Sequence, residues 1–566
     1  MNDSSTRVRR SPAARPLRRL GLALVWLLAS WPASADPLPD ARSTAKAISP
    51  AYMGHVLVAP RVSQAWIEQV YSPEDRGPVW FTAEGPRPSL GLALRELRAA
   101  AERGLAPEDY GVDLLEREIG ALVASRADPD RLARADRALT ATVLRFLSDL
   151  RFGRVRPQEV EPHYRATPRD AAFVAELRAA VADGRLAAMF DAVEPAFPVY
   201  ARLKRLLTDY RMLAAQPAIV LPSLVSARGK IVAGDIYAGV PALHAQLVRL
   251  WDLAADAAPP ADDRYSDALA EAVRRFQKRH GLEPDGVLGK ETLAALNVPL
   301  AARVDQITLS LERLRWLPAL PPGPLIAINI PSFRLWAFAD AAAAGRAALS
   351  MPVVVGRAVR TETPVFIGEM RFVEFSPYWN VPPSILRNEI LPRLENDPSY
   401  AGREDMEVVS TGRDGQARTG FDDAALAALR SGEARLRQRP GTRNALGGVK
   451  FVLPNTMNVY LHATPAREMF ERSRRDFSHG CIRVREPEAL AQFVLRGKPE
   501  WTPEEIAAAM RSGVNRTVPL AFPVPVVVFY TTAIADAEGR ALFLADVYGH
   551  DRRLQDALRK VSGAAR

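Results

Sequence analysis

A multidomain α+β architecture is expected from the sequence: a long helical region, a small helical module, and a β-rich domain broken by a long polar insertion. Three observations predict it. The 566-residue chain exceeds one ordinary core, at roughly 100–200 residues per domain. Its 48% apolar and 25% charged residues match folded chains and exclude wholesale disorder. The hydrophobic period is helical up to about Trp316, and beyond it short runs rich in Val, Ile and aromatics take over.

The elements follow in chain order. Residues 1–35 read as a secretory signal peptide. Arg7, Arg9, Arg10, Arg15, Arg18 and Arg19 form a basic start, Leu20–Trp31 is a short apolar run, and Ala33-Ser34-Ala35 is a small-x-small site before Asp36. An uncleaved anchor is the alternative. Six Arg against one Asp in this segment leave about +5 of the formal +10 on the remaining chain. That mild charge, the export signal and the lack of any DNA or RNA motif exclude a nucleic-acid partner. Residues 36–257 carry helical patterns, such as Leu139, Val143, Phe146, Leu147 and Leu150. His55, His163 and His244 stand alone there and read as ordinary surface or structural residues. Ala258–Arg264 has the composition of a linker, and residues 262–300 form a compact two-helix module in which Leu269, Val273 and Phe276 share one face. A helix is expected at Leu309–Trp316.

Strands are then expected at Leu325–Ile330, Leu335–Phe338, Met351–Val355, Phe366–Phe375, Val449–Leu453 and Asn458–His462, giving a β-rich domain over 324–515. The polar, Arg-rich stretch 394–446 interrupts it, with one helical piece at Ala424–Arg430; loops this long are usually functional, such as lids, or disordered. Residues 516–566 form a C-terminal strand segment. Its apolar stretch Val518–Ala535 contains Pro519, Pro523 and Pro525, so it is expected as a buried or edge strand and not a membrane helix.

The chemistry centres on the chain's one cysteine, Cys481, in Ser478-His479-Gly480-Cys481-Ile482-Arg483. A single Cys excludes an intramolecular disulfide and a thiolate cluster. An unpaired thiol in an exported chain is either buried and inert or in use. Cys481 follows Gly480, sits among polar residues and has two histidines near it in sequence. A thiol needs a base to become a good nucleophile at neutral pH. His462, at a strand end nineteen residues earlier, and His479, two residues earlier, are both candidates, and the three residues as metal ligands are a third reading.

Two resemblances narrow these options. Ala272–Asn297, AVRRFQKRHGLEPDGVLGKETLAALN, resembles the peptidoglycan-binding domain of wall enzymes through Phe276, Gln277, Gly281, Leu282, Asp285, Gly286, Gly289, Thr292 and Leu296. His462, fifteen residues, then Ser478-His479-Gly480-Cys481 is similar to the signature of L,D-transpeptidases with a YkuD-type catalytic domain. Met351–Ile385, Gln438–Phe451, Pro454–Phe470 and Pro523–Asp551 resemble the large periplasmic Gram-negative members, and the N-terminal region resembles their helical scaffold domain.

The resemblance implies Cys481 as nucleophile, His462 as general base and His479 as loop support. The Ala463 carbonyl would orient the imidazole. Main-chain N–H groups around Gly480 and Cys481 would form the oxyanion hole, with Ser478 in the same loop. Arg483, Tyr460, Trp379 and Asn380 are expected at the substrate, and 394–446 as a capping segment. The implied reaction passes a tetrapeptide stem through a thioester, with loss of D-Ala, to the side-chain amine of a second stem, making a 3→3 cross-link. Water, a free D-amino acid or a wall protein as acceptor remain open, as does a non-catalytic wall-binding scaffold. The implied partners are peptidoglycan stem peptides and glycan, and possible wall synthases; the implied location is the periplasm. No metal or organic cofactor is implied.

Overall fold

The computed structural model describes residues 63–71, 77–124, 129–165, 170–225, 228–320, 322–340, 347–359, 361–411 and 416–564. The expected signal peptide and His55 lie outside these residues. No helix among the described residues is long and apolar enough to cross a membrane.

The first unit is helical, with a core running from Ile67 to Val193. Its axis is α1 (Pro129–Phe152), which is buried on nearly every face. Asp136, a buried carboxylate on α1, is satisfied as a low-dielectric interior requires: it accepts the main-chain N–H groups of Val79 and Trp80 at 2.9 and 2.7 Å. Gly153, at φ +78°, turns the chain at the end of α1. A Cβ there would lie 2.5 Å from the Glu312 carboxylate, so the close approach requires glycine.

The second unit corrects the expected boundary at 257–262. Helices α2 (Pro198–Ala214), α3 (Val240–Arg249), α4 (Asp267–Arg279), α5 (Lys290–Leu296) and α6 (Leu300–Trp316) contribute to one core. The Pro- and Asp-rich 258–264 stretch looks like a linker by composition, yet backbone pairing runs across it. Tyr237 N–H donates to Asp263 C=O at 2.8 Å, Gly234 N–H to Tyr265 C=O at 2.8 Å, and Ile231 is bridged to Leu288. The residues singled out in the module act locally. Gln277 accepts from Gly286 N–H (2.8 Å) and donates to Asp285 (2.9 Å) and Thr292 (3.1 Å), tying the turn to both helices. Helix α6 begins well before the expected Leu309 and lies between the units. Ile307, Leu311 and Leu314 face the second core, Leu309 and Trp316 face the next one, and Glu312 accepts the N–H groups of Arg154 and Val155.

The β-rich domain is a sheet that closes on itself. Its strands are β1 (Leu325–Asn329), β2 (Arg334–Phe338), β3 (Leu349–Gly356) and β4 (Phe366–Phe375) before the cap, and five more after it. The cap holds β5 (Trp379–Asn380), β6 (Met406–Ser410), β7 (Ala417–Arg418), α7 (Asp423–Ser431) and β8 (Ala434–Gln438), its strands ordered β5-β8-β6-β7. Next come β9 (Val449–Val452), β10 (Leu461–His462), β11 (Asp476–Ser478), β12 (Ile482–Val484) and β13 (Arg516–Phe529). The large sheet runs β11-β3-β12-β10-β9-β4-β13-β1-β2, and β2 also pairs with β3, which joins the ends.

Two expected boundaries change here. The cap core starts at Val381, not 394, with Ile385, Leu386, Ile390 and Leu391 packed against Val408 and Leu436. Only its surface half is polar; the apolar half reads like any domain core. Strand β13 lies beyond the expected end at 515 and is interior, between β4 and β1. It is therefore no edge strand. Pro523 falls inside the break in register with β4 between Pro519 and Val524, while Pro519 and Pro525 stand opposite Phe372 and Glu369 beside it. Hairpin β14 (Ala533–Ala535) and β15 (Ala541–Phe543) then joins the second core, and α8 (His550–Ala564) closes the chain.

Candidate active site

Three adjacent strands set the site. His462 on β10 pairs across to Lys450 on β9 and to Arg483 on β12. Tyr460 lies two residues before His462 and opposite Cys481, since Ile482 N–H donates to Tyr460 C=O at 3.0 Å. Side chains alternate along strands, so Lys450, Tyr460, His462, Cys481 and Arg483 share one face. Cys481 and His462 are diagonal neighbours on it. The Tyr460 and His462 rings are 5.7 Å apart, and the Lys450 ammonium lies 4.7 Å over the Tyr460 ring.

His462 is buried, and its Nδ1 is 2.5 Å from the Ala463 carbonyl. That contact places the proton on Nδ1 and leaves Nε2 as the basic nitrogen. Burial, with the Arg483 charge beside it, pushes the imidazole down to about 3 despite the Ala463 carbonyl. Cys481 is half-buried, and its Sγ lies 3.6 Å from the Asn458 carbonyl. Burial pushes the thiol up; Tyr460, Lys450 and Arg483 favour the thiolate but do not cancel that effect. The resting pair is therefore a neutral thiol beside a neutral imidazole, able to begin with proton transfer to His462.

The loop between β11 and β12 is tightly held. Ser478 Oγ donates to Cys481 C=O at 2.6 Å and accepts from Gly480 N–H at 3.2 Å. Gly480 N–H is thus occupied, which corrects its expected place in an oxyanion hole. Among the described residues Cys481 N–H meets no intramolecular acceptor and remains free for one. His479 turns to the cap, with Nε2 2.6 Å from Glu389. Glu389 lies in a π-helical turn, Leu386–Ile390, a feature frequent at functional sites. Among the described residues no three His, Cys, Asp or Glu side chains converge as metal ligands would.

Arg483 is half-buried, beside Met469 and close enough to lower the basicity of His462. Trp379 and Asn380 belong to the cap sheet and not to the strands that carry Cys481 and His462. They pair with Gln438 and Arg437 in the cap sheet, with Trp379 packed on the cap core and Asn380 exposed. No contact joins either to Cys481 among the described residues.

Residues 323–505 match the L,D-transpeptidase catalytic domain, YkuD. Residues 65–207 match the Scaffold domain, and 238–296 the "Putative peptidoglycan binding domain". A curated protein of Haemophilus influenzae (strain ATCC 51907 / DSM 11121 / KW20 / Rd), named "Putative L,D-transpeptidase", is 31% identical over 253 residues, 44% of this chain and 49% of that protein. The chain thus aligns with about half the length of that relative. A solved L,D-transpeptidase from Xylanimonas cellulosilytica DSM 15894 aligns at 17% identity over 56% of this chain and 100% of that one, with a TM-score of 0.16, too low to bear on the fold. The segment that matches the transpeptidase model contains both Cys481 and His462. Glu389, Thr363 and the C-terminal Tyr548, which contact or brace the Cys481 loop, were not read from sequence. They lie 92, 118 and 67 residues from Cys481, and no local motif marks them.

Proposed function

We propose that the protein is a periplasmic L,D-transpeptidase that cross-links peptidoglycan stems by cysteine acyl transfer. The supporting observation is the shared face of β10 and β12, where a neutral Cys481 thiol neighbours a buried imidazole whose Nδ1 is held by Ala463 C=O. In this reading His462 Nε2 takes the thiol proton as Sγ attacks the carbonyl of the third, diamino-acid residue of a donor tetrapeptide. The oxyanion is received by Cys481 N–H. The imidazolium returns the proton to the amine of the departing D-Ala, leaving a thioester. The side-chain amine of a second stem attacks the thioester, loses its proton to His462, and the thiol is restored as the 3→3 bond forms. His479 and Glu389 hold the cap to the loop, and the 238–296 module keeps the enzyme on the wall.

The test is incubation of purified protein with tetrapeptide muropeptides and mass spectrometry of the products. The expected result is 3→3 dimers and free D-Ala from the wild type and neither from Cys481→Ala. Dimers from Cys481→Ala would overturn the thiol mechanism. Tripeptide without dimer would assign water as the acceptor.

A further inference from the structure

The transpeptidase match ends at 505, yet the loop bearing Cys481 is braced by residues well beyond it. Thr363 is fully buried and its hydroxyl donates to Gly480 C=O at 2.8 Å. The same oxygen accepts Gly356 N–H at 2.8 Å, which leaves its single proton for Gly480. Tyr548 closes the arrangement from the C-terminal segment: its hydroxyl donates to Gly356 C=O at 2.5 Å and accepts Thr363 N–H at 3.3 Å. Tyr548 is itself fixed, since its N–H donates to the Tyr530 hydroxyl at 3.0 Å. Two residues further, His550 lies between Glu161 of the scaffold unit (2.7 Å) and Glu362 (3.3 Å). Thr361 Oγ1 and Arg357 N–H both donate to Ser478 C=O at 3.0 Å, so the same 357–363 segment holds both ends of the Ser478–Gly480 turn.

Gly480 C=O and Cys481 N–H belong to one planar peptide unit. Fixing the carbonyl fixes the direction of the N–H on the opposite side. We propose that Thr363, held by Tyr548, is a positioning residue that aims the Cys481 N–H at the oxyanion formed during acyl transfer. This rests on the acyl-transfer reading above. It also gives the C-terminal segment a part in catalysis: it completes the mould in which the oxyanion donor is set.

The test separates thiol reactivity from oxyanion stabilisation. Alkylation by iodoacetamide needs the thiol but forms no oxyanion, whereas tetrapeptide turnover needs both. Thr363→Val keeps the side-chain shape and removes the hydroxyl, and Thr363→Ser restores it. Loss of one oxyanion donor costs about a hundredfold or more in turnover; a donor left in place but misaimed is expected to cost about tenfold to a hundredfold. Thr363→Val should therefore lower kcat by that factor with KM and alkylation rate unchanged within about twofold, and Thr363→Ser should recover most of it. Tyr548→Phe should lower kcat in the same sense, and carries the test if Thr363→Val does not fold. Unchanged kcat in an active background, or kcat and alkylation falling together, would overturn the proposal. A wild type that alkylates but turns over no tetrapeptide would instead refute the acyl-transfer reading on which it depends.

Discussion

The protonation state of the resting thiol is the prediction that most sharply separates two ways of using Cys481. Burial holds the thiol above its ordinary value of 9.0, and burial with Arg483 holds the His462 imidazole down at about 3. At pH 7 the thiolate fraction is then below about 1%, because each pH unit under the pKa is a factor of ten. Only the thiolate is alkylated. The alkylation rate by iodoacetamide should therefore climb about tenfold per pH unit from 6 to 9, roughly a thousandfold in all, without a plateau. His462→Ala should keep this slope, since ionisation of the resting thiol does not depend on the imidazole, while acyl transfer is lost. The assay is the second-order rate followed by intact mass over pH 5–10. A rate that is flat between pH 5 and 8 would refute the reasoning: it would mean a preformed thiolate–imidazolium pair, with His462 charged despite its burial.

Further outcomes follow from the same geometry. As pH falls, the unfolded chain protonates His462 at its ordinary 6.5 before the native state does at about 3; the native state is thus destabilised through that window and unaffected above it. At pH 5 the loss attributable to His462 is about 2 kcal/mol, so denaturant unfolding of His462→Gln should show a correspondingly weaker acid sensitivity than wild type. The His479–Glu389 contact is partly exposed and worth at most about 1 kcal/mol. Glu389→Ala should thus raise KM no more than about fivefold, with faster hydrogen exchange over 386–396 as the independent sign of a looser cap. Gly356→Ala would place a Cβ 1.8 Å from Thr361 C=O and 2.7 Å from Thr363 N. Calorimetry should show a melting temperature lower by several degrees, and turnover should fall with it.

The proximity of the proposed nucleophile and base was legible because both sit in one short stretch, where a strand, a turn and a second strand bring residues 462 and 481 to neighbouring positions. The orienting carbonyl of Ala463 was legible for the same reason: it is adjacent in sequence to the residue it holds. The strands before Phe375 were also readable from their Val, Ile and aromatic runs. What was not legible arrives from a distance. Glu389 comes down from the cap, and Thr363 and Tyr548 meet only after β3, β4 and the C-terminal segment have packed. The Pro- and Asp-rich 258–264 stretch misled because composition reports polarity, while backbone hydrogen bonds across it make it an internal loop. That Trp379 and Asn380 form the first strand of the cap sheet was not legible, because their pairing partners Gln438 and Arg437 lie far along the chain.

The central claim is that Cys481 carries the acyl group. Intact-protein mass spectrometry after brief mixing with a tetrapeptide stem tests it most directly. The account predicts a wild-type adduct equal to the tripeptide acyl group, mapped to Cys481 and discharged by an acceptor amine, with no adduct on Cys481→Ala. An adduct on another residue, or cross-linked product from Cys481→Ala, would contradict it.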